Sequence, residues 1–572
     1  MRVTSFLLAA GFLGSFAALA TAQNTPENRR ACDGEKAGLS FAGVTAGCTA
    51  LIKSERPGSD LLPAAYYNRG KAYEAQQQYT QAIADFDEVI RLEPDNAAAY
   101  NSRGNSYVEQ KEYAAAIADF DHTIRRQPNN LKAFSSRGNA YLKQEQYSLA
   151  IADFDQAIRI KPNDAESLNN RGLAYAAQKQ YALAIADYEK AILLAPDQSS
   201  VFYNRGLAYG EQKQYARAVA DYSQAIRLDP DNARAFNNRG NIYYEQKQYP
   251  LAIDDFNDSI RLQPGDSQAF NNRGSTYVEQ KRYALAIADF DRAIRLNPYD
   301  AAAFNNRAAA YQIQQRYARA NADYDQAIRL GPDDSGALSN RGSAHVEQQQ
   351  YALAIADLNR AIRIAPDDAQ AYVNRGNANA AQGQYSQAIQ DYDKAIAIDP
   401  RLALAFYNRG NTYRNQKQYV RSIADYDQAV RLEPNFAQAF YDRGNVYREQ
   451  KQYLRAIADY NEVVRLKPDD VATFNNRGIA YAEQKQYAHA IADYDTAIRL
   501  DPNDARAVFN RGNAYGEQKQ YTRALADFDE AIRLKPNYAE AFYNRGVAES
   551  ALGLAEKSAI DISRAKAIDP RL

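Results

Sequence analysis

The chain repeats itself. Gly70, Gly104, Gly138, Gly172, Gly206, Gly240 and Gly274 stand 34 residues apart, and after Ala308 the series resumes at Gly342 and runs to Gly546. Pro recurs at the same interval from Pro94 to Pro570, and Asp from Asp85 to Asp561. A fixed period of this length marks a stack of short supersecondary units, none of which buries its apolar face alone. Counted from residue 63, fifteen units end at Leu572. One compact core is excluded, since 572 residues exceed what a single core usually holds.

Within a unit the apolar residues have helical spacing. In 267–300, Phe270, Gly274 and Tyr277 form one stripe, and Ala286, Phe290, Ala293 and Ile294 form another. The polar Gln280-Lys281-Arg282 separates them. Asn297-Pro298 ends the second, because proline cannot continue a helix and disfavours a helical residue before it. Each unit therefore reads as two antiparallel helices, with small residues where they approach.

This pattern resembles the tetratricopeptide repeat family, whose aromatic, Gly, Tyr, Ala, aromatic, Ala and Pro positions are filled in 267–300 by Phe270, Gly274, Tyr277, Ala286, Phe290, Ala293 and Pro298. The resemblance covers 63–572. It implies an all-α fold, a right-handed superhelical solenoid of fifteen 34-residue helix–turn–helix repeats with first helices lining a concave groove. It also implies a role in binding proteins or peptides. Stability should then be a sum of repeat and neighbour terms. Repeat 9 departs from the pattern with Leu338, His345 and Leu358, and is expected to pack less well. Repeat 10 has Asn379 in place of Tyr. Repeat 15 carries Glu549, Ala555 and Ser558, and with nothing following it, end-to-end self-association is an expectation.

Residues 1–22 look like a secretory signal peptide: Arg2, the apolar run FLLAAGFLGSFAALA, and Ala20-Thr21-Ala22 as the cleavage site. An uncleaved anchor is the alternative. No other segment is apolar enough to span a membrane, so the expected location is periplasmic or secreted. Residues 23–62 read as a degenerate helical cap, with Thr25-Pro26-Glu27 opening a helix, Gly34 and Gly38 near its stop, and 48–54 as a second helix. Cys32 and Cys48 are the only cysteines. In an oxidising compartment they are expected to pair, provided the first helix is shorter than in the other units. Neither metal nor redox spacing is present.

The polar residues of the recurring FNNRG need separate readings. The Arg recurs in every repeat, from Arg69 to Arg545, on the face that carries the aromatic and the Gly. A buried guanidinium requires a partner. The recurrent Asp of the second helix is the expected one, within a repeat or across neighbours, as in Arg273 with Asp289; the alternative is a ladder of cations facing a ligand. The second Asn, including Asn238, Asn272, Asn306 and Asn408, forms a column with Asn411 and Asn445 three residues further along each first helix. Amides both donate and accept, so the column suits an extended peptide backbone or, equally, hydrogen bonds between repeats. The groove stops being uniform at Tyr407, Arg414, Tyr441 and Arg448, residue types enriched at binding hot spots. These four, with the Asn residues named, are the candidate ligand-binding set. Glu211, Glu245 and Glu279 give earlier repeats an acidic groove or are solvated helix ends. Asp291–Arg295 and Asp495–Arg499 read as surface pairs four apart. The family's carboxylate clamp of Lys and Arg has no counterpart here, because the fifth residue of a repeat is never Lys and the sixth never Arg.

No catalytic residue, cofactor or metal is expected. The three His fall at unrelated repeat positions, and no nucleophile elbow, phosphate loop or zinc spacing occurs. With 69 basic and 70 acidic residues, a nucleic-acid partner is not expected. The reading is a non-enzymatic scaffold outside the cytoplasm that binds proteins or extended peptides. The alternative is an envelope protein assisting polysaccharide export or wall assembly, its Tyr and Asn stacking on and hydrogen-bonding sugars.

Overall fold

The computed structural model describes residues 26–33 and 40–572. Residues 1–22, read from the sequence as a signal peptide, and Thr25, Gly34 and Gly38 lie outside the described residues. Thirty-two helices and no strand occur among the described residues. They form two compact units, Met1–Lys281 and Arg282–Leu572.

In each unit the same local chemistry sets the same helix pair. The first helix starts after a Pro-containing turn, in most repeats at an Asn or Asp whose side chain accepts from a backbone N–H two or three residues on: Asn96 from Ala99 at 3.0 Å, Asp334 from Ala337 at 3.0 Å. It ends shortly before a left-handed residue. In nine repeats that residue is Lys, as at Lys213 (φ 58°) and Lys485 (φ 59°); Gly383 and Gly553 take the place in repeats 10 and 15. The second helix then runs fourteen residues, from Tyr147 to Ile160 or Tyr487 to Leu500, and stops before the recurrent Pro.

The packing is carried by the second-helix aromatic lying across the first-helix Gly. A methyl placed on Gly172 would stand 2.6 Å from the Tyr188 ring, and one on Gly478 would stand 2.6 Å from Tyr494. Both rings are almost fully buried. Ala308 is the exception and is itself buried against Tyr324. Repeat 9 does not pack less well as expected: Leu338 and Leu358 are both 0% exposed. Two branched side chains fill the space of two rings. His345 bonds Gln350 through Nδ1 at 2.7 Å.

The cap differs in register. Its first helix is Pro26–Cys32, and its second runs Phe41–Ser54, beginning earlier than the 48–54 expected. Ser40 caps the second, its Oγ accepting from the Gly43 N–H at 3.3 Å. Because the first helix stops at Cys32, Cys32 comes level with Cys48, and the sulfurs are bonded, with Cα atoms 4.4 Å apart. Val44, Leu51, Ala65 and Ala72 close a small core around them.

Candidate functional site

The recurrent Arg is a clamp with two jaws. In unit 1, from Arg69–Asp85 through Arg239–Asp255, and in unit 2, from Arg307–Asp323 through Arg545–Asp561, Nε and Nη2 donate to the carboxylate of the same repeat. Arg205 is 2.7 Å from each oxygen of Asp221. In most repeats the remaining Nη1 reaches back to the preceding repeat, as Arg443 does to Asp427 at 2.6 Å and Arg511 to Asp495 at 2.7 Å. Ser223 and Asn257 serve as that acceptor for Arg239 and Arg273. Arg273 belongs to the first unit and Asp289 to the second. The surface pairs expected four residues apart are replaced by the same geometry: Asp291 binds Arg307 and Asp495 binds Arg511, not Arg295 and Arg499. The next repeat's guanidinium is already held in place by its own Asp, so bonding it orders less side chain than bonding the solvated arginine one turn away.

Burial raises the pKa of Asp119, Asp153 and Asp459 from the ordinary Asp value against the pull of their arginines. The hydrogen bonds to Asp raise the guanidinium pKa of Arg103 and Arg137 further. Asn379, which replaces Tyr in repeat 10, joins its clamp by donating to Asp391 at 2.9 Å. In repeat 15 the same position is Glu549. It is buried, one oxygen finds no hydrogen bond, and burial raises its pKa.

The Asn column is engaged between repeats. Asn238 donates to the Tyr203 hydroxyl at 3.0 Å, Asn272 to Asn237 at 3.1 Å, Asn408 to Asn377 at 2.9 Å and Asn510 to Asn475 at 2.9 Å. Asn476 donates to both Tyr441 and Asn445, at 2.8 and 3.2 Å. Asn411 and Asn445 also accept from the Tyr426 and Tyr460 hydroxyls, at 2.6 and 2.8 Å. Asn306 lies on the helix Ala301–Ile313, in the same register. Of the two readings left open by the sequence, inter-repeat bonding is the one this geometry favours.

The Tyr–Arg patch is also internally bonded, around a residue that sequence reading passed over. Asp442 stands where other repeats have Asn or Ser. It accepts from the Tyr407 hydroxyl at 2.8 Å, from Arg414 at 3.3 Å and from Gln438 at 3.0 Å. Arg414 also bonds Glu449 at 3.0 Å. Burial and the Asp442 charge push the Tyr407 phenol well up. Tyr407 packs 4.9 Å from the Phe436 ring. Arg448 interacts with Tyr460, and its Nε is buried with no hydrogen-bond partner. The single Asp in a column of Asn and Ser was the available signal. The groove Glu residues are likewise held: Glu211, Glu279, Glu483 and Glu517 accept from Tyr181, Tyr249, Tyr453 and Tyr487 at 3.2–3.4 Å.

Open volume remains between consecutive first helices near the C-terminal end of unit 2. One pocket, about 590 Å³, is lined by Asn513, Glu517, Tyr521, Asn544 and Val547 among others. A neighbour of about 360 Å³ lies against Glu483, Tyr487, Asn510 and Asn513. In repeat 15 Ala551 stands where the preceding repeats have a Glu, so Tyr521, which lines the larger pocket, has no such acceptor there. Among the described residues, no group of three or more His, Cys, Asp or Glu could hold a metal ion, and no helix is long and apolar enough to cross a membrane.

Family models described as tetratricopeptide or TPR repeats match 67–130, 138–179, 165–198, 203–267, 267–300, 342–416, 403–436, 425–458, 444–511 and 512–553. The chain belongs to the tetratricopeptide repeat family. No curated protein matches this TPR chain. Among solved structures it is similar to the APC/C hetero-tetramer Cut9–Hcn1, at 16% identity over 83% of this chain and 94% of that one, TM-score 0.41. It is also similar to YrrB, described as a TPR protein with an unusual peptide-binding site, at 26% identity over 32% and 95%, TM-score 0.31. A third is a TPR protein from Parabacteroides merdae ATCC 43184, at 21% identity over 43% and 98%, TM-score 0.38.

Proposed function

We propose that this TPR chain is a non-enzymatic scaffold that binds proteins or extended peptides along its first helices, outside the cytoplasm. The observation that carries the binding reading is the open volume between first helices at Asn513, Tyr521, Asn544 and Val547. It lies beside repeat 15, where Ala551 stands at the position held by Glu449, Glu483 and Glu517 in the three preceding repeats. The ligand set expected from the sequence, Tyr407, Asn408, Asn411, Arg414, Tyr441, Asn445, Arg448, Asn238, Asn272 and Asn306, is narrowed by engagement within the protein.

The export reading rests on the apolar leader at 6–20, the Ala20-Thr21-Ala22 site and the bonded pair Cys32–Cys48. The sugar-binding alternative is weakened, since the Tyr and Asn groups it requires already bond each other.

A photo-crosslinking residue in place of Val547, in the native envelope, with mass spectrometry of the adducts, tests the reading. Discrete protein adducts that vanish when the crosslinker is moved to the opposite helix support it. Binding to a glycan array with no protein adduct overturns it. N-terminal sequencing should find a mature chain that begins at Gln23.

A further inference from the structure

The turns inside repeats 11–14 form a cationic edge, separate from the first-helix face. Lys417, Lys451, Lys485 and Lys519 are the left-handed turn residues of four consecutive repeats, and all are exposed. In the first turn of the helix that follows each stand Arg421, Arg455, His489 and Arg523, also exposed. Those four helices, Tyr419–Leu432, Tyr453–Leu466, Tyr487–Leu500 and Tyr521–Leu534, have no acidic residue in the first turn and no side-chain N-cap. A cation there opposes the helix macrodipole, so the arrangement works against the helices that carry it.

The arginines are held but not neutralised. They lie over Tyr413, Tyr447 and Tyr515, with guanidinium carbons 5.6–5.7 Å from the ring centres. Their hydrogen bonds go to the neutral Gln418, Gln452 and Gln520, at 3.0–3.2 Å. Among the described residues none of these lysines or arginines forms an ion pair. The nearby carboxylates are bonded elsewhere: Glu449 to Arg414, and Glu483 and Glu517, which keep their charge, to the hydroxyls of Tyr453 and Tyr487. In several other repeats the same first-turn place is apolar, as at Leu149, Leu183, Leu251 and Leu353. The charge is therefore local, within a chain whose formal net charge is −1.

We propose that this edge docks an extended acidic polypeptide segment with apolar side chains among its Asp and Glu. Charge complementarity calls for carboxylates, and each guanidinium keeps N–H groups beyond the one given to Gln with which to donate to them. The choice of polypeptide over an anionic polysaccharide comes from Val420 and Leu454. They are 79% and 67% exposed, each next in sequence to one of the arginines. Aliphatic side chains set between cations match an acidic segment with apolar residues and give a sugar acid nothing to bind.

The test uses the full chain and fluorescence anisotropy with a labelled synthetic peptide in which Leu is set among Glu, beside labelled polygalacturonate. The peptide should bind, more weakly as salt rises. R421Q/R455Q/R523Q should weaken it about tenfold or more, and V420S/L454S should weaken the peptide but not polygalacturonate. R217Q, the same Arg-on-Tyr contact in unit 1, should change nothing. The triple variant should melt no lower than the parent, which separates lost binding from lost fold. Equal peptide binding by parent and triple variant overturns the proposal. So does polygalacturonate binding as tightly as the peptide with V420S/L454S silent, which assigns the edge to an anionic glycan. Crosslinking at Val547 is independent of these variants, so failure here and failure of the first-helix reading are distinguishable.

Discussion

At Gly478 and Gly516 the same substitution should have opposite signs. Both glycines are helical. A methyl on Gly478 meets the Tyr494 ring at 2.6 Å, whereas one on Gly516 meets nothing within 4 Å. Gly516→Ala should therefore stabilise by about 0.5–1 kcal/mol through helix propensity alone. Gly478→Ala should destabilise, because overpacking costs about 1–3 kcal/mol and exceeds that gain. Urea titrations of both variants check the pair. Glu549 makes a pH prediction. Burial raises its pKa in the folded state, so the folded chain favours the protonated form. Its repeat is then most stable below the ordinary Glu pKa of about 4.3 and loses stability as pH rises through the window above it. Hydrogen exchange over 539–551 should show Glu549→Gln equal to the parent in acid and better protected at neutral pH. FNNRG was legible in part at this scale: Gly and Arg could be assigned from helical spacing and the cost of a buried charge. The Asn could not, because spacing puts an amide on a face without saying whether its donor meets the next repeat or water.

At the scale of the element, helix pairs and their boundaries followed from Pro, Asn and Asp placement, and the structure has them there. The partner of the second-helix Asp at 291 and 495 did not follow. Sequence separation favours the Arg one turn on, but the neighbouring repeat, invisible to local spacing, presents a guanidinium with a free N–H. The clamp ties three helices, and removing one member should show it. Arg443→Leu leaves Asp459 buried and unpaired, and should cost about 3–5 kcal/mol of local stability. Adding Asp459→Leu should recover most of that loss, since a buried pair replaced by apolar groups is often neutral. Hydrogen exchange of the helices Ala437–Glu449 and Tyr453–Leu466 in both variants is the measurement. Asp442 belongs here too. One carboxylate in a column of amides turns a groove patch into an internal network, and only the side-chain positions reveal it.

Over the whole molecule, repetition was the most legible feature and function the least. A period fixes a stack, and a stack offers the same face many times, so the informative places are those where the copies differ. Stability in such a chain is local, and the disulfide should behave accordingly. Its closed loop is short, and reduction should remove about 3 kcal/mol from the cap. Protection should fall around Phe41–Ser54 and the first repeat while the helix Ala539–Ala551 is unaffected. Exchange with and without reductant decides this.

The central claim is that the recurring Asn column stitches repeats together and that recognition lies where the pattern breaks. Asn510→Leu tests it most directly, because Asn510 donates to Asn475 of the preceding repeat. Hydrogen exchange and Val547 crosslinking should be read on the same variant. The account predicts lost protection in Val471–Glu483 and Ala505–Glu517 with the protein adducts retained. Unchanged protection with the adducts abolished would contradict it.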